Sequence, residues 1–398
     1  MTPLRVECPA SYPPGAKLVL VGEAPGREEV EKGEGFVGQA GRVLQKACSA
    51  AGLDWSTLGK SNVVKRRPFP DSNDFRRAFY EQVEEAIYTP KGNLSKRTKK
   101  VTRRTGELTH WQGVLAAELQ QYRPNLVVAC GGEALEATTG LTGITNYRGS
   151  VLGGERIGGI KVLATEHPSF VMRGNFERFW VLAGDLRKAK REMEFPEVRR
   201  EEWTELVNPS LGEVLGFVRD VGNLGLPWTL DVETRAGTLA CFAIAMRYPE
   251  GVHATCIPVQ SPQGPHWSPE EEMEIWQAMR EAANANPYLC NQNIEYDIYY
   301  LLRYGVEPSG VWMDTMLAHS LLYPEFPKGL DFLCSWYLDD VVYYKGEGRS
   351  WKDGDRDEEL WRYNVKDAVY TLRIVEEIDR RLRERGLWEM YHGKTISY

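Results

Sequence analysis

The 398-residue sequence has few cysteines, and none of them are closely paired. Its seven cysteines are scattered and include no C-x-x-C pair; they stand at positions 8, 48, 130, 241, 256, 290 and 334. This distribution favours reduced residues in a hydrophobic core. It argues against a disulfide framework and against a zinc site built on paired cysteines.

Long apolar runs are missing as well. No stretch approaches the roughly 20 apolar residues that span a bilayer, and the opening MTPLRVECPASYPPG lacks the apolar core of a signal peptide. We therefore expect a protein of the bacterial or virus-infected host cytoplasm, with no membrane partner. Low-complexity tracts and solenoid repeats are absent too, and the length predicts two domains.

Charge is divided unevenly along the chain, whose formal net charge is −7. Residues 1–195 hold 29 Lys and Arg against 22 Asp and Glu, whereas the remainder holds 20 against 34. A basic half suits a polyanion. An acidic half suits solvation, or contact with phosphate through bound metal ions.

Strands and helices alternate in the first half. Strands are predicted at KLVLVG, 61–65, 125–131 and 161–167, and helices at 37–52, 75–88, 108–121, 133–139 and 175–194. The alternation predicts an α/β sandwich with a mainly parallel sheet over residues 1–195. The stretch 195–208, rich in Glu, Arg and Pro, is the predicted linker.

Three successive strand-like runs open the second half: PWTLDVETRAG, TLACFAIAMRY and GVHATCIPV. A further strand is predicted at PYLCNQ, and helices at about 268–284, 295–304, 313–322 and 357–385. A strand meander followed by helices is typical of a mixed α/β domain of the ribonuclease-H-like type. We predict this domain over residues 205–398.

A Gly/Pro-rich loop, Gly22-Glu-Ala-Pro-Gly26, follows the first predicted strand, and such loops let backbone approach a ligand closely. It is followed by Phe36-Val-Gly38, by Asn62 in NVVK and by His167-Pro-Ser. The segment GEGFVG also matches the dinucleotide-binding fingerprint G-x-G-x-x-G. That interpretation is disfavoured because the preceding EEVEK is too charged for a buried strand.

These motifs, in this order, closely resemble family 4 of the uracil-DNA glycosylase superfamily over about residues 15–190. The resemblance implies that Phe36 stacks on a flipped uracil and that Asn62 hydrogen-bonds its pyrimidine edge. It implies that Glu23 positions or activates water and that His167 stabilises charge developing on uracil O2. Gly22 would belong to the same substrate-binding loop.

The sequence departs from family 4 at its iron–sulfur site. Members of that family hold a cluster on four cysteines, two of them in an N-terminal C-x-x-C. Here only Cys8 lies in that region, and Arg66 and Trp111 stand at two other ligand positions. We therefore expect no iron–sulfur cluster, and a local fold held by side-chain packing instead.

A second departure is the basic segment 91–104, with seven Lys or Arg in fourteen positions. A related glycosylase branch carries in such a loop a histidine that traps the abasic sugar, but this segment has none, so we expect turnover. Two interpretations stay open: a solvated loop, or a DNA phosphate contact made by Lys96, Arg97, Lys99 and Lys100.

Acidic residues form the second candidate site. Asp231 and Glu233 lie two apart on a predicted strand and so share one face. Asp297 stands on one predicted helix, and Tyr363 and Asp367 lie four apart on another. Four converging carboxylates would repel one another unless divalent cations lay among them, as in a two-metal phosphodiesterase.

These motifs resemble the DEDD 3′–5′ exonucleases of the tyrosine variant, in particular the proofreading domain of family A DNA polymerases, over about 205–385. The resemblance implies that Asp231, Glu233, Asp297 and Asp367 hold two Mg²⁺ or Mn²⁺ ions. One ion would activate the nucleophile, and both would offset charge on the phosphorus. Tyr363 would orient the attacking water.

The sequence thus predicts a bifunctional DNA repair or proofreading enzyme, which excises uracil and removes nucleotides from 3′ ends. No polymerase palm follows, so we expect either a DNA polymerase acting in trans or a longer parent product. Two alternatives stay open. The first half could be only a DNA-binding module, or the exonuclease could act on RNA, since RNase D-type enzymes share the tyrosine variant.

Overall fold

The structure of the protein is a computed structural model that describes residues 7–69, 72, 74–88, 94–350 and 357–395. The chain divides into two compact units, Met1–Arg199 and Arg200–Tyr398, and each is described by itself. Within the described ranges, no helix combines the length and the apolar character needed to cross a membrane.

The first unit alternates strands and helices, as predicted. Its strands are β1 Leu18–Gly22, β2 Gly59–Asn62, β3 Tyr80–Tyr88, β4 Leu94–Arg104, β5 Leu126–Cys130, β6 Val151–Gly154 and β7 Ile160–Thr165. Its helices are α1 Arg27–Lys32, α2 Gln39–Ala50, α3 Phe75–Phe79, α4 Gly106–Tyr122, α5 Gly132–Thr139, α6 Ile144–Tyr147, α7 Pro168–Met172 and α8 Arg178–Glu192.

Five of these strands form the central sheet, in the order β2-β1-β5-β7-β6. All neighbours are parallel except β6, which runs antiparallel to β7. Strands β1 and β5 are buried along their whole length, because helices cover both faces of a parallel sheet. The predicted α/β sandwich with a mainly parallel sheet is confirmed.

Two local predictions in this unit are wrong. The segment predicted as a helix at 75–88 is helical only to Phe79 and then becomes β3. The basic segment predicted as a loop forms β4, which pairs with β3 in a separate two-stranded antiparallel sheet. We call these two strands, residues 80–88 and 94–104, the basic hairpin.

Cross-strand charge pairing explains both errors. The register places Glu84 opposite Lys100 and Glu85 opposite Lys99, and Arg103 forms an ion pair with Glu85 at 2.6 Å. Opposite charges facing each other across an antiparallel pair stabilise it. The partners in these charged pairs are 14 to 18 residues apart in the sequence, so a local periodicity does not reveal them.

The second unit begins with a strand inside the predicted linker. Its strands are β8 Trp203–Val207, β9 Trp228–Arg235, β10 Thr238–Tyr248, β11 Gly251–Pro258, β12 Gln260–Ser261, β13 Gly264–Pro265, β14 Leu289–Asn291 and β15 Val311–Asp314. Its helices are α9 Leu211–Leu224, α10 Pro269–Ala285, α11 Ile294–Arg303, α12 Thr315–Leu322, α13 Leu330–Tyr337, α14 Lys345–Ser350, α15 Asp357–Glu384 and α16 Trp388–Met390.

The main sheet of this unit has the order β15-β14-β9-β10-β11-β8. Strands β9, β10 and β11 form the predicted antiparallel meander, whereas β14 runs parallel to β9 and β8 runs parallel to β11. Because β8 completes this sheet, residues 203–207 are part of the domain and the linker prediction is wrong there. The mixed sheet of the predicted fold is confirmed.

Alternating side chains on β10 separate two hydrophobic layers. Phe242, Ile244 and Met246 face a large core shared with α9, α10 and α11. The small residues between them, such as Ala243 and Ala245, belong to a second cluster that includes α15. Small side chains let α15 lie close to the sheet, and this closeness brings its polar residues to β9.

All seven cysteines are buried and free, and all lie within the described residues. Burial raises the pKa of the Cys8 thiol to about 11 and that of Cys48 to about 12. The prediction of reduced core cysteines is confirmed.

Candidate functional sites

The first site is built on the loop after β1, which Glu29 holds in shape. This side chain is buried, and its carboxylate accepts hydrogen bonds from the backbone N–H groups of Gly26, Phe36 and Gly38. The N–H groups of Val63 and Val64 donate to the carbonyls of Gly22 and Glu23. The loop is thus tied to the segment that follows β2.

Phe36 lies in a position that only small neighbours permit. A Cβ on Gly22 would lie 2.5 Å from Asn62 Oδ1 and 3.1 Å from Phe36 Cζ, so glycine is required for both side chains to meet there. A Cβ on Gly41 would clash with the backbone carbonyl of Phe36. The Phe36 ring also contacts Trp55 edge-on, with a centroid distance of 6.4 Å.

His167 has a fixed proton position. It caps the N-terminus of α7, where its Nδ1 accepts the backbone N–H of Ser169 at 3.2 Å and lies 2.8 Å from Ser169 Oγ. Burial, followed by the nearby Arg173, lowers the pKa of His167 to about 4. The imidazole is therefore neutral near pH 7, and because Nδ1 accepts, Nε2 carries the proton.

One cavity of about 410 Å³ is lined by Phe36, Asn62 and His167. Three of the predicted substrate-binding and catalytic side chains thus meet at one place, in a space large enough for a small planar ligand. Glu23 lines an adjoining cavity, which also contains His167 and Arg173. Burial and the neighbouring Glu133 raise the pKa of Glu23 to about 7.

An ion-pair cluster occupies the two positions predicted to have lost cluster ligands. The Arg66 guanidinium contacts the Glu107 carboxylate through two nitrogens, at 2.5 and 2.7 Å. Trp111 Nε1 donates to the same carboxylate at 3.4 Å, and the guanidinium lies 4.6 Å from the centre of the Phe79 ring. The Glu107 carboxylate therefore links the side chains of Arg66 and Trp111.

The candidate phosphate-binding residues Lys96, Arg97, Lys99 and Lys100 all lie on β4. Lys99 and Lys100 are exposed, and each stands opposite an acidic residue on β3. Part of their charge is therefore offset within the basic hairpin.

The second site lies where β9 meets α15. Asp231 and Glu233 lie on β9 opposite Ala243 and Cys241 of β10, on the face that α15 covers. Together with Asp367 of α15, they offer carboxylate oxygens that all lie within 4.8 Å of one another. The predicted strand pair and the predicted helix thus deliver three carboxylates to one place.

Asp297 lies beside this group and is held differently. It stands on α11, and its Oδ1 accepts the backbone N–H of Val232 at 2.9 Å. It is not one of the three carboxylates grouped within 4.8 Å. It nevertheless lies next to the group, because Val232 stands between Asp231 and Glu233 in the sequence.

The carboxylates are costly to ionise together. Burial and the nearby Asp367 raise the pKa of Glu233 to about 7, and the same two causes hold the pKa of Asp231 well above its usual range. Burial is the main cause that raises the pKa of Asp297 to about 8. A cluster with these shifts is the electrostatic pattern expected of a cation site.

Sequence reasoning missed Asn364, which positions Asp231. Its Nδ2 donates to the backbone carbonyl of Asp231 at 3.1 Å and to Oδ2 of the same residue at 2.6 Å. Its Oδ1 lies 3.7 Å from the thiol sulfurs of Cys241 and Cys256. The only signal in the sequence is its place beside Tyr363, one turn before Asp367.

Two further missed residues contact Asp367. The Tyr344 hydroxyl donates to Asp367 Oδ1 at 2.5 Å. Lys345 Nζ donates to Asp367 Oδ2 at 2.5 Å and to the Tyr363 hydroxyl at 2.9 Å. Nothing in the local pattern YYKGEG distinguishes these residues from a solvated turn.

Comparison with known families gives one match in each unit. Residues 9–190 match the model of the uracil DNA glycosylase superfamily. Residues 235–383 match a 3′–5′ exonuclease model. The second match covers Asp297, Tyr363 and Asp367 and begins just after Asp231 and Glu233.

Two relatives are type-4 uracil-DNA glycosylases. The Archaeoglobus fulgidus protein is 32% identical over 173 residues, which cover 41% of this chain and 72% of that protein. The Thermotoga maritima protein is 29% identical over 177 residues, which cover 44% of this chain and 76% of that protein. Among solved structures, Brucella melitensis NrnC bound to pGG matches with 18% identity and a TM-score of 0.34, covering 48% of this chain and 84% of that one.

Proposed function

Since the chain belongs to the uracil DNA glycosylase superfamily and also carries a 3′–5′ exonuclease domain, we propose that it both excises uracil from DNA and hydrolyses DNA from 3′ ends. The observation that carries the first activity is the meeting of Phe36, Asn62 and His167 in one cavity. The observation that carries the second is the group of three carboxylates.

For uracil excision, each residue has a role that suits its surroundings. A base must leave the stack before an enzyme can reach its glycosidic bond, and Phe36 offers a ring face to receive it. The Asn62 amide can both donate to and accept from the pyrimidine edge. His167, neutral and protonated on Nε2, would donate a hydrogen bond to uracil O2 as the bond breaks and negative charge grows there.

Glu23 would position or activate the water that attacks the sugar. A carboxyl group with a pKa of about 7 is poised to accept a proton near neutral pH, where half of it is ionised. Glu23 lines a cavity that shares His167 with the cavity proposed to bind uracil, and this supports a role beside the reacting bond rather than against the base.

For 3′-end hydrolysis, the donor set fits Mg²⁺ or Mn²⁺. Carboxylate oxygens are the ligands these ions prefer, and those of Asp231, Glu233 and Asp367 group closely. Burial and the nearby Asp367 raise the pKa values of Asp231 and Glu233, as expected where acids lie together without a cation. Asp297 would be the fourth ligand. When bound, two such ions would activate water and offset charge on the phosphorus. Asn364 would keep Asp231 in place, and the Tyr363 hydroxyl would orient the attacking water.

One purified sample tests both activities. It would be incubated with 5′-labelled oligonucleotides, either undamaged or carrying one uracil, with Mn²⁺ and with EDTA. We expect ladders from the 3′ end only with Mn²⁺, and an alkali-labile site at uracil under both conditions. Digestion that persists in EDTA would contradict the metal-dependent mechanism.

Two other outcomes would redirect the proposal. Binding of uracil-DNA without base release would make the first unit a DNA-binding module. Faster digestion of an RNA oligonucleotide than of its DNA counterpart would make the exonuclease an RNA-directed one. If DNA is the substrate, a DNA polymerase encoded separately would be a natural source of the 3′ ends.

A further inference from the structure

Lys345 lies within the carboxylate site of the second unit. Its Nζ is 2.5 Å from Asp367 Oδ2 and 2.9 Å from the Tyr363 hydroxyl. Its side chain is only 17% exposed. A lysine is rarely buried without a partner, and the partners of this one are a predicted metal ligand and the predicted water-orienting residue.

The surroundings favour a cation at this point. The ammonium group lies 5.0 Å from the centre of the Tyr363 ring and 5.4 Å from that of Tyr344, within the range of cation–π attraction. The carboxylates of Asp231 and Glu233 also lie close by. The positive charge of Lys345 thus offsets part of the negative charge that the site concentrates.

Both oxygens of Asp367 are engaged by adjacent residues of one segment. Tyr344 donates to Oδ1 and Lys345 donates to Oδ2. The segment is fixed on one side by the burial of Tyr344, which is 5% exposed. On the other side, Glu347 forms an ion pair with Lys366 at 2.6 Å. Lys345 is therefore held against Asp367 at the start of α14.

An ammonium group and a divalent cation cannot share one carboxylate oxygen easily. Magnesium binds carboxylate oxygens at about 2.0–2.1 Å, so an ion on Asp367 Oδ2 would come close to Nζ and repel it. We propose that Lys345 is a built-in competitor of the metal ions, which occupies Asp367 Oδ2 and must withdraw before a divalent cation can bind that oxygen. This inference rests on the proposed metal-dependent exonuclease function.

Metal affinity tests the competition directly. The full-length protein would be freed of metal with EDTA, exchanged into buffer and titrated with Mn²⁺, and the free ion would be followed by electron paramagnetic resonance. Lys345→Met removes the competitor, and we expect it to lower the Mn²⁺ dissociation constant by about 5- to 150-fold, the usual range of coupling between two ligands. Lys366→Met is the matched control, because it removes a lysine one residue from Asp367 that pairs instead with Glu347, and it should leave the affinity within about twofold.

The outcomes separate the inference from the function on which it rests. If neither wild-type protein nor Lys345→Met binds Mn²⁺, the proposed metal-dependent function fails. If both bind it equally, or if the variant binds it more weakly, the function stands and the competition is wrong. Equal tightening by Lys366→Met would also overturn the competition, because a general loss of positive charge would then explain the effect.

Lysine labelling of the wild-type protein avoids any folding defect of the variant. A water-soluble acylating reagent would be applied with and without Mn²⁺, and modification would be read by peptide mass spectrometry. We expect Lys345 to become more reactive when Mn²⁺ binds, because its amine leaves Asp367, while the reactivity of Lys366 stays constant. Unchanged or reduced labelling of Lys345 in a sample that binds Mn²⁺ would overturn the proposal.

Discussion

The two sites of this protein handle buried charge in opposite ways. In the first unit, the two candidate catalytic groups have little charge, because His167 is kept neutral and Glu23 is only half ionised at neutral pH. In the second unit, three carboxylates are forced together and a lysine lies among them. The first arrangement suits the release of a base through hydrogen bonds, and the second suits cations that work on a phosphate.

The two sites also differ in what their small residues bring together. Glycines at positions 22 and 41 allow Phe36 and its neighbours to approach one another around a cavity. Small residues on β10 instead allow α15 to lie close to the sheet, so that the carboxylate of Asp367 comes within 4.8 Å of those of Asp231 and Glu233 on β9. Close packing of small residues thus shapes a cavity in the first unit, whereas in the second unit it brings like charges together.

The largest expected effect separates the two activities in a single protein. Asp231→Ala should lower 3′–5′ digestion by about 10³-fold or more, because the loss of a shared ligand removes several kcal/mol of charge stabilisation at about 1.4 kcal/mol per tenfold. Tyr363→Phe should cost less, since all four ligands remain. Gel assays of 3′ digestion and uracil release on the same samples check both.

Uracil release by Asp231→Ala should equal that of the wild type, and Glu270→Gln, at the exposed start of α10, should leave both activities unchanged. A matching loss of uracil release in Asp231→Ala would mean that the two sites are not independent.

A second prediction concerns His167. Its replacement by Ala should slow uracil release by roughly two orders of magnitude, as for the loss of one oxyanion donor, and should not affect 3′ digestion. Ser169→Ala is the matched control: it removes the hydroxyl but keeps the backbone N–H that fixes the tautomer, so it should cost less than about tenfold. Single-turnover rates of base release measure both changes, and equal losses would argue against the role of Nε2.

The third prediction uses the pKa of Glu23. Because this pKa is raised to about 7, the carboxyl is mainly protonated at pH 6 and mainly ionised at pH 8. If ionised Glu23 activates the attacking water, the rate of uracil release should rise roughly tenfold between pH 6 and pH 8. His167, with a pKa of about 4, stays neutral throughout and adds no slope.

Glu23→Gln supplies the control for this pH dependence, because an amide does not titrate. Its rate of uracil release should be low and flat across the range. A rise with pH that persists in this variant would assign the titration to another group.

The smallest expected effect belongs to the basic hairpin. Replacing Lys96, Arg97, Lys99 and Lys100 by Gln should weaken DNA binding and flatten its salt dependence, while digestion and base release at saturating DNA stay intact. Four independent phosphate contacts would change the slope of log K against log salt by about 3.6. Because Lys99 and Lys100 stand opposite Glu85 and Glu84, we expect about half of that.

Removing the opposing acids provides the matched control. Glu84→Gln with Glu85→Gln should strengthen DNA binding, measured by fluorescence anisotropy over a range of salt concentrations. Wild-type affinity and slope in both sets of variants would identify the hairpin as a solvated surface.

The parts of the fold that the sequence predicts are those with a strong local pattern. The buried strands LVLVG and LVVAC and the long helix α15 appear where predicted. Each strand is a continuous apolar run, and the helix has an apolar face with helical periodicity. The prediction of a helix at 75–88 was wrong because the charged strand β3 is stabilised by residues on β4. Strand β8 was missed because its role is to complete a sheet whose other strands come later in the chain.

The same distinction holds at the sites. Motif spacing brought together Asp231, Glu233 and Asp367, because strand and helix periods fix which side chains share a face. Asn364 and Lys345 were missed, because the importance of Asn364 depends on the approach of α15 to β9 and that of Lys345 on the approach of α14 to α15. Whether a polar residue supports a site is decided by tertiary contact rather than by its neighbours in sequence.

The buried cysteines have a practical consequence for solution studies. Thiol reagents attack the thiolate and must reach it, but all seven native thiols are buried. Burial also raises the pKa of the thiols of Cys8, Cys48, Cys130, Cys241, Cys290 and Cys334. A single cysteine introduced at an exposed position, such as Lys46 on α2 or Tyr299 on α11, should therefore take up a maleimide dye selectively while the native thiols remain unmodified. The wild-type sequence is thus already a suitable background for fluorescence measurements of how each unit engages DNA.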